Sequence, residues 1–443
     1  MKTHMATKIQ TLALSSALLA LSAGGAFAGQ AQRQPVPMAH EKAPLTQAAA
    51  LIDSYPATDK TPGIVAVVGQ GDSAPTVLAA GKIAAEEGTA KADADSLWRV
   101  YSMTKPITAM AAMMLIEEGK MKLDQPVSDF IPAFKNMTVL VDPAKDLTAR
   151  PATRPITVRH LLTHTAGLGY TIITTGPLLK EYERQGITPF TANAQVEAQM
   201  RLARPKTLQE FANRVAGLPL IADPGTKWSY SIGLDVMGAV IEKASGMPFD
   251  TFLQKRIFTP LKMSSTFFTV PTADAKRLVT GYTWVGANRV PLDPGATSVF
   301  LQPPSFPYGG AGLVMSAHDY DRFLHMLQNG GTLDGARILK PATVALAMSN
   351  LLPEGVTYGG AVANTGGATG QSQGFGAGGS VYLVDMPGGP SKGTYGWGGA
   401  AGTIAWVDPV RHLRATAMVN YLPGEKWPLR RDFTKALYAD LAQ

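Results

Sequence analysis

Apolar, β-rich runs stand towards both ends of this chain, and helical patterning fills the middle. Ile64 to Val68 is such a run. Gly69 to Pro75 is turn-like, and Val77 to Ala80 supplies a returning hairpin strand. Far along the chain, Val381–Val384, Thr403–Val407 and Arg414–Tyr421 read as strands, the last two joined by an Asp408-Pro409 turn. Helices are expected at Gln47–Asp53, Thr157–Leu162, Leu234–Ala244, Asp319–Leu327 and Leu429–Leu441. A further helix over Ser102–Met121 is marked at its end by Gly119. Pro106 is tolerated only near a first turn, which places that helix start close to Ser102. Gly169–Ala216 has helical patches and no strand pattern, so it reads as a cap over a site. Trp284–Pro307, rich in Pro and Gly, reads as a long surface loop. The pattern is α+β: one antiparallel sheet made from both terminal regions, helices against it, and a mainly helical lobe. The sheet lobe is expected at about 47–115 and 300–443, and the helical lobe at about 116–299.

Composition narrows the class. A 45% hydrophobic and 16% charged share over 443 residues reads as globular. Residues 1–28 read as a signal peptide, with Lys2 and Lys8 before an apolar stretch and Ala26-Phe27-Ala28 at a small-x-small cleavage site. Residues 29–46 read as a flexible lead-in to a domain over 47–443. Such a chain is exported, to a periplasm or the medium, with no stable membrane anchor. The chain has no cysteine, which excludes disulfides, a thiol nucleophile and thiolate metal sites. The net charge is +7, and removing the two leader lysines leaves 7 − 2 = +5. Its densest basic spots, Lys255-Arg256 and Arg430-Arg431, form no larger stripe, which argues against nucleic acid as a partner.

The strongest local signal is Ser102-Met103-Thr104-Lys105. Residues three apart share one helix face, so hydroxyl and amine can meet. A serine at a helix mouth also lies in the positive end of the dipole. Alone the spacing is weak, because a capping serine beside a solvated lysine fits it equally well. Three neighbours strengthen it: the extended lead-in Trp98–Tyr101, Tyr230 at a loop-to-helix junction after the turn Asp223–Thr226, and Tyr395–Ala400 between two expected strands. His160 and His164 have metal-ligand spacing on a helix, but no glutamate follows the first, so no metal is expected. A G-x-S-x-G elbow is absent, which removes the main support for an α/β-hydrolase.

These residues resemble the β-lactamase-related serine hydrolases: class C β-lactamases, D-alanyl-D-alanine carboxypeptidases and family VIII carboxylesterases. Ser102–Lys105 matches the first family motif. Tyr230-Ser231-Ile232 matches the second, with Ile232 where many β-lactamases and peptidases have Asn. Trp397-Gly398-Gly399 matches the third in its esterase form, where β-lactamases carry Lys-Thr-Gly. Thr157–Leu168 and Gly309–Leu313 also look like the family, and the resemblance covers roughly Ala50 to Leu441. It implies a β-lactamase/transpeptidase-like fold and an acyl-enzyme on Ser102. Lys105 and Tyr230 would share the proton work, and the Ser102 and Ala400 N–H groups would form the oxyanion hole. Trp397, Gly398, Gly399 and Ile232 would line the substrate site. No cofactor is implied. The expected substrate is a small ester; a β-lactam, a peptide or another amide is the competing reading, and a silent peptidoglycan-binding protein the third.

Overall fold

The computed structural model describes residues 44–359 and 372–442. The expected signal peptide and nearly all of the lead-in lie outside the described residues. The central element is a seven-stranded antiparallel sheet. Its strands run in the order Gln373–Phe375, Ser380–Tyr382, Tyr395–Gly398, Ile404–Asp408, Leu413–Met418, Gly63–Gln70, Thr76–Gly81. The expected union of both terminal regions is made at the pairing of Gly63–Gln70 with Leu413–Met418, where Val65 faces Met418 and Val67 faces Thr416.

Alternation along these strands explains why they read as continuous apolar runs. Val65 and Val67 enter one core while Ile64, Ala66 and Val68 enter another. On the outer face lie the N-terminal helix, Thr46–Ala57, and the C-terminal helix, Leu429–Asp440. They are stitched together, since the Asp440 carboxylate accepts the Gln47 and Ala48 N–H groups at 3.0 and 2.9 Å. On the inner face lies the serine helix, Thr104–Glu117, buried at every residue from Thr104 to Leu115. A helix apolar on all sides belongs in a core, and this one has helices beyond it as well as the sheet.

The serine helix starts later than expected. A 3₁₀ turn, Tyr101–Met103, carries Ser102, and the α-helix begins at Thr104. Pro106 is then the third helical residue, where its missing N–H has no intrahelical partner to lose. The far end closes at Gly119, with φ +73°. Its N–H bonds the Ile116 carbonyl, and the Lys120 N–H bonds that of Leu115.

The tyrosine helix, Gly233–Ser245, packs beside the serine helix and stops at the left-handed Gly246. The Gly169–Ala216 segment carries helices Gly176–Arg184, Ala194–Met200 and Leu208–Ala216. Trp284–Pro307 corrects the sequence reading. It is not a surface loop: Gly281–Val285 and Asn288–Asp293 form a hairpin, followed by buried Val299 and Phe300. The buried Asp293 pairs with the buried Arg99 and accepts from Ser298, which draws the segment inward. His160 and His164 are also corrected. Their helix, Val158–Leu162, ends before His164, whose φ is +56°, so the two rings do not share a helix face. Among the described residues no helix is long and apolar enough to cross a membrane.

Candidate active site

A short strand, Leu97–Arg99, held by Val314–Ser316, leads into the 3₁₀ turn that presents Ser102. Tyr101, the residue before the serine, has φ +43°. Such a conformation costs a bulky residue of order 1–3 kcal/mol and persists only where the surroundings enforce it. Here its ring stacks on Phe190, 5.5 Å away, and meets the edge of Phe300 at 6.2 Å. Phe190 belongs to the helical insertion, which thus packs against the side chain next to the serine.

Three side chains converge. The Tyr230 hydroxyl donates to Ser102 Oγ at 2.7 Å, and Lys105 Nζ donates to the same oxygen at 3.3 Å. Lys105 is wholly buried and also donates to the Gly310 carbonyl at 2.8 Å. Its Nζ lies 4.6 Å from the Tyr230 ring centre and 5.4 Å from that of Tyr170. Both phenols thus face the lysine amine in a buried site.

The loop before the tyrosine helix is sewn to the 164–169 segment, which fixes Tyr230. The His164 carbonyl accepts the Ser229 N–H, and the Gly169 carbonyl accepts the Ile232 N–H. His164 Nδ1 accepts the Ser231 N–H at 3.2 Å and lies 2.9 Å from Ser231 Oγ. Burial, and then the Lys105 charge, hold this imidazole far below its ordinary pKa, so it is neutral. Its ring centre is 4.7 Å from that of Tyr230.

The third motif arrives on the strand Tyr395–Gly398. Trp397 packs against Tyr230 at 5.7 Å and Phe375 at 5.3 Å, and is 2% exposed. It buttresses the tyrosine where an open cleft wall was expected. Gly398 and Gly399 likewise face protein. A Cβ on Gly398 would lie 2.9 Å from the Arg430 guanidinium carbon, and one on Gly399 would lie 2.3 Å from the Val100 carbonyl oxygen. Gly399 seats the strand end against the residue preceding the serine turn, and Gly398 seats it against the C-terminal helix. Ile232 has no exposed surface, so its side chain is not available to a substrate in this arrangement. Ala400 is partly exposed, and among the described residues neither its N–H nor that of Ser102 has an acceptor in the protein.

Two groups were not anticipated. Asp235, in the first turn of the tyrosine helix, is fully buried. Its Oδ1 accepts the Gly310 N–H at 2.8 Å, and Oδ2 has no partner among the described residues. Burial pushes its carboxyl up to about 7 against the opposing pull of Lys105. Gly310 therefore stands between the lysine and the acid, and a Cβ there would lie 2.5 Å from Oδ2. Tyr170 is the second. Burial, and then the charges of Asp235 and Tyr230, raise its phenol well above the ordinary value. An acid amid Leu234, Val236 and Met237, on a helix otherwise apolar there, was the one available clue to Asp235.

Known proteins resemble this chain along most of its length. The Beta-lactamase family model matches residues 48–439. The chain is 32% identical over 366 residues to esterase EstB of Burkholderia gladioli, covering 78% of this chain and 83% of that protein. It is 30% identical over 376 residues to monacolin J acid methylbutanoyltransferase of Aspergillus terreus, covering 79% and 83%. Among solved structures it is similar to EstCE1, a hydrolase with promiscuous acyltransferase activity. That match has a TM-score of 0.70 and 26% identity, over 89% of this chain and 98% of the other. Matched by one family model from its first helix to its last, the chain belongs to the β-lactamase family, in its branch of serine hydrolases and acyltransferases.

Proposed function

We propose that this protein is a carboxylesterase that cleaves small, short-chain esters through an acyl-enzyme on Ser102. One observation carries the reading: Ser102 Oγ has the Tyr230 hydroxyl at 2.7 Å and Lys105 Nζ at 3.3 Å within one buried site. Lys105 and Tyr230 together take the serine proton as Oγ attacks the acyl carbonyl. Both groups lie within hydrogen-bond reach of that oxygen, so either can receive the proton. The Ser102 and Ala400 N–H groups hold the developing oxyanion; each such donor is worth about 3 kcal/mol. Tyr230 then protonates the leaving alcohol, and water enters to release the acid. The proton steps use only these side chains.

The ester preference rests on the third motif. A lysine there pairs with the carboxylate of a β-lactam or peptide; Trp397 offers no such charge. The esterase relative supports the same choice. A second reading, transfer of the acyl group to an alcohol, is favoured by a specific observation. The chain is 30% identical to a methylbutanoyltransferase and similar in structure to a hydrolase with promiscuous acyltransferase activity. Hydrolysis of β-lactams, D-alanyl peptides or other amides is the remaining competitor.

Side-by-side turnover of p-nitrophenyl butyrate and a chromogenic cephalosporin decides the matter, with an added alcohol to reveal transfer. Turnover of the butyrate is expected, abolished in Ser102→Ala; turnover of the cephalosporin alone would refute the esterase reading. We also read the chain as exported after cleavage behind Ala28, which the intact mass of protein recovered from the periplasm or medium tests.

A further inference from the structure

The C-terminal helix carries Arg430 beneath the turn that follows the strand Tyr395–Gly398. Its guanidinium donates through Nη2 to the Gly399 carbonyl and through Nε to the Thr403 carbonyl, the latter at 3.3 Å. The Thr403 carbonyl also accepts the Gly399 N–H at 3.0 Å. One cation therefore closes the turn from below. Its side chain is only 16% exposed, and the carboxylate paired with it is Glu425, 3.9 Å away and 75% exposed. Burial lowers the pKa of this guanidinium, while nearby Glu425, Tyr421 and Tyr230 oppose that shift.

A largely buried cation directed at two backbone carbonyls, with only a distant and solvated carboxylate, is costly to desolvate. The planarity of the peptide bond suggests what it achieves. The Gly399 carbonyl and the Ala400 N–H are opposite ends of one rigid unit, so fixing the carbonyl fixes the direction of the N–H. A charge-assisted bond to the carbonyl oxygen also draws electron density from the amide nitrogen, which makes its N–H a stronger donor.

We propose that Arg430 is a positioning residue of the oxyanion hole, holding and polarising the Gly399–Ala400 peptide so that the Ala400 N–H meets the developing oxyanion. This rests on the acyl-enzyme reading above. The arginine itself touches no reacting atom.

The test compares p-nitrophenyl butyrate with its thiono analogue, in which sulfur replaces the carbonyl oxygen. Sulfur is a poor hydrogen-bond acceptor, so the oxygen-to-sulfur rate ratio reports on the oxyanion hole. In the full chain, Arg430→Gln should lower kcat on the oxygen ester about tenfold, less than the ~10²–10³ lost when a whole donor is removed. KM should stay within about twofold, because the contact is made only in the transition state. The thiono ester should be nearly unaffected, so the ratio falls. Arg430→Lys, which can reach one carbonyl at a time, should fall between; it carries the same measurement if Arg430→Gln does not fold. An unchanged ratio overturns the proposal. So does a loss confined to KM, which would make Arg430 a substrate-binding group. A wild-type enzyme that turns over neither ester, or shows no preference for oxygen, instead overturns the reading of the site on which the proposal stands.

Discussion

Lys105 and Tyr230 both reach Ser102 Oγ, but they hold it differently. The lysine is anchored by a second bond to Gly310, whereas the phenol is placed by ring packing against His164, Tyr170 and Trp397. Tyr230→Phe keeps that packing and removes only the proton carrier. Lys105→Ala removes the amine that contacts Ser102 Oγ and the Gly310 carbonyl. Each variant should lose ~10²–10⁴ in kcat, the usual worth of a positioned acid–base group, with the fold retained by circular dichroism. Near-normal turnover in either would remove that residue from the mechanism. Asp235 yields a separate expectation about pH. An unfolded aspartate ionises near 4, whereas this one holds its proton to about 7. The folded state thus binds a proton that the unfolded state has already released. The stability this adds is complete below about 4 and is lost as pH rises to about 7. Wild type should therefore weaken relative to Asp235→Asn across that window, by roughly 4 kcal/mol. Urea midpoints of the two proteins at pH 4.5 and 7.5 check this; parallel curves would refute it. The serine and lysine were legible because their relation is local, three residues along one turn. Asp235 and Arg430 were not, because their meaning depends on burial against the 309–313 and 398–403 segments, which no spacing discloses.

At the scale of elements, the N-terminal helix shows how a helix start is completed from a distance. Its own N-cap, Leu45, offers no side-chain oxygen, and the Asp440 carboxylate, itself buried, takes the first N–H groups instead. Asp440→Ala should cost about 1–2 kcal/mol, the range for a lost helix cap, read as a lower urea midpoint with an unchanged m value. No change would mean that water or Thr46 replaces the acid without loss. The elements legible in sequence were those whose apolar period agrees with their surroundings, such as Gly233–Ser245 with its apolar face and glycine stop. The hairpin at 281–293 was hidden by Pro291 and by Asp293-Pro294, which argue against a strand. A signal was nevertheless present. Gly286-Ala287 is a two-residue connection, and Gly286 has φ +60°, a conformation that suits glycine at the first turn position. The proline is accommodated because its strand, Asn288–Asp293, is the outer one of the pair and the hairpin carries a register irregularity at Gly281/Tyr282.

At the scale of the whole molecule, the site exists because distant parts of the chain close on each other. The strand Gly63–Gln70 comes before the serine and Leu413–Met418 after the third motif, and they are neighbours in the sheet. The two outer helices seal the same junction, with Thr46 Oγ1 and the Asp440 carboxylate 3.3 Å apart. What the site requires is therefore this closure and not the order in which the chain is threaded. A circular permutant should test that directly. Joining the region after Asp440 to Thr46 through a short Gly/Ser linker, and opening the chain at the exposed Gly286-Ala287 tip, leaves the sheet order and the three motifs intact. Its ester turnover should lie within about threefold of wild type, since permutation at exposed tips between nearby ends is usually tolerated. Deleting the C-terminal helix from Leu429 onward keeps the original threading and every motif residue, yet it uncovers the outer face of the sheet and removes Arg430. That variant should fail to fold, seen as loss of a cooperative urea transition. Inactivity of a well-folded permutant, or full activity of the truncated chain, would show that continuity between the hairpin and the site matters more than closure of the sheet.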